Sequence, residues 1–222
     1  MNTPSKLALG ALFAAVLSFT TGLQAGDYQP ELFEKTKLVY EDSFDGDSIN
    51  LDFWELRQHS TWEIKDGVLT GSQSSKEFQE KMVAKGDPAH AGFKPVIWLR
   101  QVPENFVATF RLKYSAEDYD KKFPLIDLGH HIHTFSFAKD STTLAIRKNV
   151  QIETIDEPFL PLNEWVDVAI ELKNGKLLFK IDDHKYELES EEIYMGDQRQ
   201  IDFKGVNFGT CEIDDVKIWE GL

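Results

Sequence analysis

Six histidines occur in the chain, and three of them stand close together in Leu125-Ile-Asp-Leu-Gly-His-His-Ile-His-Thr-Phe-Ser-Phe137, at His130, His131 and His133. An imidazole titrates near neutral pH, moves protons and binds metal ions. Read as one strand, the stretch alternates its side chains between two faces. Ile126, Leu128, His130 and Ile132 then share one face, and Asp127, His131, His133, Phe135 and Phe137 the other. The first face reads as core. The second sets a carboxylate beside two imidazoles two residues apart, so that both can reach one ion or one substrate. Three readings stay open. His131 and His133 could ligate Zn²⁺ or another divalent ion with an open position. One of them could act as a general base oriented by Asp127, without metal. Or the histidines simply hydrogen-bond their neighbours on a half-buried strand. Gly129 decides among these: a glycine within a strand marks a bulge, which would move Asp127 to the opposite face and bring in His130 instead.

Other residues could join such a site. His90 lies in Gly86-Asp-Pro-Ala-His-Ala-Gly92, a loop by composition that leads into a strand, where it could supply a third ligand or a substrate contact. Arg100, Arg111, Lys113 and Arg147 fall on the non-core phase of their strands, and guanidinium forks bind carboxylates and hydroxyls. Each alone reads as a solvated strand face; as a set they are candidate substrate contacts. Of the five tryptophans, Trp98 and Trp54 are the better candidates for an exposed stacking surface, and the others read as core or sheet edge. Asp45-Gly-Asp-Ser-Ile-Asn50 resembles part of a Ca²⁺ loop but lacks the downstream bidentate Glu, so a turn explains it better. Phosphate-loop, dinucleotide-binding and Gly-x-Ser-x-Gly patterns are absent from the sequence.

The elements that must carry these residues are short strands. Trp62–Thr70 reads as a hairpin turned at Asp66-Gly67, and a second tight turn falls at Asn174-Gly175. Phe106, Ala108, Phe110, Leu112 and Tyr114 alternate inward, as do Val166, Val168, Ile170 and Leu172. Helical periodicity is confined to about Ser74–Ala84. About a dozen short runs at regular spacing predict an all-β chain, an antiparallel β-sandwich or barrel. At the N-terminus, Lys6 precedes an apolar run over Leu7–Phe19 and a small residue, Ala25, the pattern of a secretory signal peptide. The expected organisation is a signal over 1–25, an arm over 26–37 and one domain over 38–222, in a secreted or periplasmic protein. No later stretch is apolar enough for a membrane span. The lone Cys211 forbids an intrachain disulfide and a Cys-based zinc site. The formal charge of −14 speaks against nucleic acid and anionic membranes as partners. Acidic glycans are disfavoured too, unless a basic patch is concentrated at the site.

The order of motifs resembles a known group. Asp42-Ser-Phe-Asp-Gly46 precedes Trp54. There follow Trp62-Glu-Ile-Lys-Asp-Gly-Val-Leu-Thr-Gly71, His90 leading to Trp98-Leu-Arg100, Phe106–Arg111, the Gly-His-His-Ile-His segment, Glu164-Trp165 and a closing Asp214-Asp-Val-Lys-Ile-Trp219. This is similar to the concanavalin A-like jelly rolls of the lectin/glucanase superfamily, and within them most similar to the 3-keto-disaccharide hydrolase domain family. The resemblance implies two twisted sheets, a concave face that meets a glycan or small saccharide, and hydrolytic or lyase-type cleavage of an oxidised sugar. A carbohydrate-binding or cell-surface interaction domain without turnover is the alternative. Family 16 glucanases of this superfamily carry Glu-x-Asp-x-(x)-Glu on one strand. The nearest match here, Glu212-Ile-Asp-Asp-Val-Lys217, lacks the second Glu. A retaining mechanism needs two carboxyls about 5–5.5 Å apart, so that motif cannot supply it.

Overall fold

The structure, a computed structural model, describes residues 28–222; the signal-peptide reading and the first residues of the arm lie outside them. Alternating apolar residues and tight turns build two antiparallel sheets. The chain runs through β1 (Thr36–Asp42), β2 (Trp54–Leu56), β3 (Thr61–Lys65), β4 (Val68–Ser72), α1 (Lys76–Ala84), β5 (Val96–Arg100), β6 (Phe106–Ser115), β7 (Leu125–Leu128) and β8 (His133–Phe137). It continues through β9 (Thr142–Ile146), β10 (Gln151–Ile155), β11 (Val166–Lys173), β12 (Lys176–Ile181), β13 (His184–Glu189), β14 (Gln200–Lys204) and β15 (Thr210–Gly221). One sheet has eight strands in the order β13-β12-β11-β6-β15-β4-β3, with β1 also paired to β15; the other has seven, in the order β10-β9-β8-β7-β14-β5-β2. The result is a two-sheet antiparallel jelly roll with one short helix.

Local chemistry accounts for the elements. Asp66 and Gly67 both take positive φ, 53° and 76°, as do Asn174 and Gly175, 45° and 87°, and each pair folds its strands into a hairpin with the right-handed twist. Ser75 caps α1, its hydroxyl accepting from the Phe78 amide at 3.2 Å. The apolar phases of the two sheets meet in one core. Phe110 of β6 packs edge-on against Phe203 of β14 at 5.1 Å between centroids, and Phe135 of β8 stacks on Phe179 of β12 at 4.2 Å. Burying such a ring stabilises the fold by roughly 1.5–3 kcal/mol. Cys211 is wholly buried in this core, and burial pushes its thiol well above the usual range.

The outer phases of the two sheets have different fates. On the eight-stranded sheet, residues 28–35 lie over β11. There Glu171, fully buried, accepts from the Tyr28 hydroxyl at 2.7 Å and from the amides of Glu31 and Leu32 at 2.8 Å. The described part of the arm is therefore docked. On the seven-stranded sheet the outer phase is left open as a cleft, and the histidines stand at it.

Candidate functional site

The stretch from Leu125 to Phe137 is not one strand. β7 ends at Leu128, the chain reverses through Gly129–Ile132, and β8 returns antiparallel, pairing Leu128 with His133, Asp127 with Thr134 and Ile126 with Phe135. The reversal is made by three successive residues in the left-handed region: Gly129 at φ 66°, His130 at 44° and His131 at 68°. Side chains therefore do not alternate across the loop, and the count restarts at β8. Cross-strand partners share a face, so His133 follows Leu128 into the core and Thr134 follows Asp127 outward. This corrects the expected pairing of His131 with His133. His133 is fully buried, donates from Nε2 to the Tyr194 carbonyl at 2.9 Å, and receives the Arg147 amide on Nδ1 at 3.4 Å. Burial holds its pKa below the ordinary value, with Arg147 adding to the effect and the Tyr194 carbonyl opposing it. Phe135 and Phe137 lie in the core with it. His131 and His133 thus cannot converge on one Zn²⁺ or other divalent ion.

His130, expected on the core side, faces outward beside His131. Nδ1 of His131 lies 3.1 Å from Oδ2 of Asp127, and Nδ1 of His130 lies 3.0 Å from Oδ2 of Asp202. Asp127 and Asp202 are register partners on the adjacent strands β7 and β14, and both side chains are 0% exposed. Lys204, two residues along β14 and also buried, sets its ammonium between them, bonded to Asp127 Oδ2 and 3.4 Å from Asp202 Oδ2. The remaining carboxylate oxygens are satisfied as well: Thr134 Oγ1 donates to Asp127 Oδ1, and Gln200 Nε2 to Asp202 Oδ1 at 2.5 Å. The imidazole rings are 4.3 Å apart between centroids, with side chains 33% (His130) and 59% (His131) exposed. Each ring is anchored through Nδ1 and presents Nε2, the geometry of a general acid–base histidine oriented by a carboxylate. Non-glycine residues in the left-handed region cost about 1–3 kcal/mol each, and such strain gathers where a side chain must be aimed.

The two carboxyls are tuned apart. Burial pushes Asp127 up, but His131, the Lys204 charge and Thr134 outweigh it and hold its pKa below the ordinary value. Burial pushes Asp202 up and wins, because Lys204, His130 and Gln200 only partly offset it and the Asp127 charge adds to the rise. Asp127 therefore stays ionised beside His131, while Asp202 resists ionisation beside His130.

The histidines border a cleft of about 760 Å³ that crosses the outer face from β5 to β10. Its floor is made of small side chains, Thr134, Ser136, Thr143 and Ala145. Trp98 and His90 line it, although Trp98 is not an open platform: the Arg57 guanidinium lies 3.9 Å over its ring, and His130 packs 4.8 Å away. His90 is held by Asp87 at 2.7 Å. The expected arginines lie elsewhere. Arg100 pairs with Glu55 at 2.6 Å on the outer face of β5, outside the cleft lining. Arg111 is on the opposite sheet, against Trp165 and Asp214, with Lys113 beside it. Arg147 follows β9, is bonded to Glu192, and borders a separate hollow. Trp54 is buried in the core.

Asp202, Lys204 and Gln200 were not among the expected site residues. Their signal was the alternation Gln200-Ile-Asp-Phe-Lys204, a polar row on one face of an ordinary strand. Arg57 gave no local signal. Carboxylate-anchored imidazoles are also primed to bind metal, but among the described residues no three His, Cys, Asp or Glu side chains are placed to share an ion, the Asp45–Asn50 turn included.

With this geometry in view, the comparisons with known proteins are informative about fold. No family model and no curated protein sequence matches the chain. Solved structures do. SCLam, a non-specific endo-β-1,3(4)-glucanase from family GH16, superposes with a TM-score of 0.59 at 13% identity, over 91% of this chain and 98% of that one. The fold is a concanavalin A-like jelly roll. A GlcNAcα1-4Gal-releasing endo-β-galactosidase from Clostridium perfringens gives a TM-score of 0.60 at 13% identity, over 88% of this chain and 66% of that one. LamA from Z. galactanivorans, in complex with laminaritriose and laminaritetraose, gives 0.53 at 12% identity, over 85% and 100%. If the middle Asp of the glucanase pattern is set on Asp127, the flanking Glu positions fall on Leu125 and on Gly129 or His130. No Asp or Glu lines the cleft, and the two carboxyls beneath it are covered by imidazoles.

Proposed function

We propose that the protein is an exported carbohydrate-active enzyme that breaks a glycosidic bond at the cleft, by proton abstraction next to a carbonyl rather than by a pair of carboxylates. The observation that carries this reading is the His131–Asp127 dyad, with Nε2 free toward a saccharide-sized cleft and a second dyad, His130–Asp202, beside it. A histidine held by an ionised carboxylate is suited to take a carbon-bound proton made acidic by a neighbouring carbonyl. The electron pair of that C–H bond becomes a C=C bond, and the C–O bond to the β-carbon breaks. The departing oxygen takes a proton, for which His130 is the nearest second acid–base group. A 3-keto sugar meets this requirement, since its C2 proton lies next to the ketone and its C1–O bond is the one to break. The jelly-roll likeness to glycoside hydrolases and the resemblance to 3-keto-disaccharide hydrolases support a saccharide as substrate.

The test is turnover on 3-keto-glucosides, their parent disaccharides, neutral β-glucan oligosaccharides and uronate oligosaccharides, read as new chain ends and as ultraviolet absorbance of a conjugated double bond. His131→Ala and Asp127→Asn should each lower the rate about 10²- to 10⁴-fold. Turnover indifferent to His131→Ala refutes the assignment. Saturable binding with no product from any of these sugars establishes a binding domain instead.

A further inference from the structure

Acidic residues outnumber Lys and Arg by 38 to 24 in the whole chain, yet the cleft inverts that balance. Arg57, Lys94, Lys121, Lys122 and Lys204 line it, together with His90, His130 and His131, and no Asp or Glu does. Two of the five cations are neutralised from behind: Arg57 by Glu55 at 2.5 Å, and Lys204 by Asp127 and Asp202. Lys94, Lys121 and Lys122 make no ion pair among the described residues. Lys121 and Lys122 are exposed on the segment before β7, and Lys94 is half-buried on the segment before β5, its ammonium 4.2 Å over the Phe123 ring. Burial and the charge of Lys204 both push Lys94 below its ordinary pKa, with Asp120 only partly opposing them. Like charges held together in a cleft with low-dielectric walls create a field that draws in an anion and repels a cation. A neutral saccharide would leave that repulsion in place.

We infer that the cleft takes an anionic saccharide of the uronate type, its carboxylate set against Lys94, Lys121 and Lys122 while His131 faces the carbon next to it. This rests on the cleft being the site of the chemistry proposed above, and it names the carbonyl. In a uronate the anion and the acidifying group are the same carboxyl. A free carboxylate acidifies its neighbouring C–H weakly, and cations around it stabilise the charge that develops as the proton leaves. The balance is complete without a co-reactant. Nε2 of His131 takes the C5 proton, the C5–H electron pair forms the C4=C5 bond, the C4–O bond breaks, and the released oxygen is protonated. No water is added and no redox change occurs. The acidity of the rest of the surface then restricts anionic polymers to this one face.

Calorimetric binding to the full chain tests the assignment separately from turnover. The probes are tetrasaccharides of galacturonate, of mannuronate and of alternating glucuronate, with cellotetraose, laminaritetraose, a sulfated neutral tetrasaccharide and a 3-keto-glucoside alongside. At least one uronate should bind ten or more times more tightly than the neutral sugars, and should weaken as salt is raised. Lys121→Gln with Lys122→Gln, both at exposed positions, should weaken it roughly four- to twenty-fivefold, two- to fivefold per lysine. His131→Ala should keep that binding. Uronate binding that survives His131→Ala without turnover in the unaltered protein upholds the substrate class and refutes the cleavage reading. His131-dependent cleavage of neutral or 3-keto sugars with no uronate preference does the reverse. Tight binding of the sulfated sugar alone, or an affinity indifferent to the double lysine change, overturns the uronate assignment.

Discussion

Replacing Lys204 by Met removes the ammonium between Asp127 and Asp202 while keeping most of its volume. The side chain of Lys204 is 8% exposed and those of its two partners 0%, so none of the three is screened as a surface pair would be. Removing one member of a buried ionic group costs about 3–5 kcal/mol, chiefly because the charges left behind are uncompensated. Here two are left, on register-paired residues of adjacent strands. For a domain of this size 1 kcal/mol shifts Tm by roughly 2–4 °C, so Tm at pH 7 should fall by about 6–20 °C. The pH dependence has a definite sign. Asp127 is held below its ordinary pKa, so its stabilising contribution is present above the unfolded value of about 3.9 and is lost as pH falls through the folded value. Asp202 is raised, so it acts in the opposite sense, and its contribution is lost as pH rises through its folded value. Without Lys204 both carboxyls resist ionisation in the fold. The gap between variant and unaltered protein should therefore be widest above about pH 4 and narrow below it, as both become neutral. Adding Asp127→Asn should recover at least half the loss, since one of the two uncompensated carboxyls is then gone. Thermal unfolding followed by circular dichroism at pH 7 and pH 3.5 measures all of this. A drop under about 4 °C that is the same at both pH values would mean the group is solvated, and the electrostatic account of the site would fail.

Two further changes test the hairpin. His133→Gln should cost about 1–3 kcal/mol through poorly satisfied backbone partners at Tyr194 and Arg147, yet leave turnover intact once stability is allowed for. The folded pKa of His133 is lowered, so its contribution is present above the unfolded value of about 6.5 and lost as pH falls through the folded one; the decline of Tm between pH 7 and 5 should be shallower in the Gln variant, and an unchanged slope refutes this. Gly129→Ala places a Cβ 2.7 Å from the Met195 carbonyl and 3.0 Å from Ile132 Cδ1 at φ 66°, whereas Gly67→Ala, at φ 76°, meets nothing within 4 Å. Urea unfolding should show about 1–2 kcal/mol for Gly67→Ala, the left-handed penalty alone, and clearly more for Gly129→Ala, with the site disturbed as well; equal losses would mean the hairpin is not held as described.

What the sequence made legible is what neighbours along the chain decide. Asp66-Gly67 and Asn174-Gly175 announce their hairpins because the residues that need positive φ are the ones that favour it. The stretch across Gly129 reads as one alternating strand, with a bulge as the alternative, because a lone glycine there lacks the Asp-Gly or Asn-Gly pair that announces a tight turn. That one misreading put His133 at the site and His130 in the core. Pairing between distant strands was not legible at all: Asp127 meets Asp202 and Lys204 only because β7 lies beside β14, and no local pattern states that neighbour. Alternation within a strand says which residues share a face, but the character of that face is set by what comes to lie against it. β11 and β14 make the point together. Each has an inward apolar row and an outward row that carries charge. Glu171 on β11 is sealed because Tyr28, Glu31 and Leu32 fold over it, with every donor spent. Asp202 on β14 is covered by the imidazole of His130, and its register partner Asp127 by that of His131, with both Nδ1 atoms engaged and the outer edges of the rings facing the cleft. The buried carboxylate at Glu171 closes a structure. Those at Asp127 and Asp202 aim one, and apart from His131 the partners that make the difference, His130 for Asp202 and Lys204 for Asp127, lie more than 60 positions away in sequence, beyond the reach of any pattern read along a single strand.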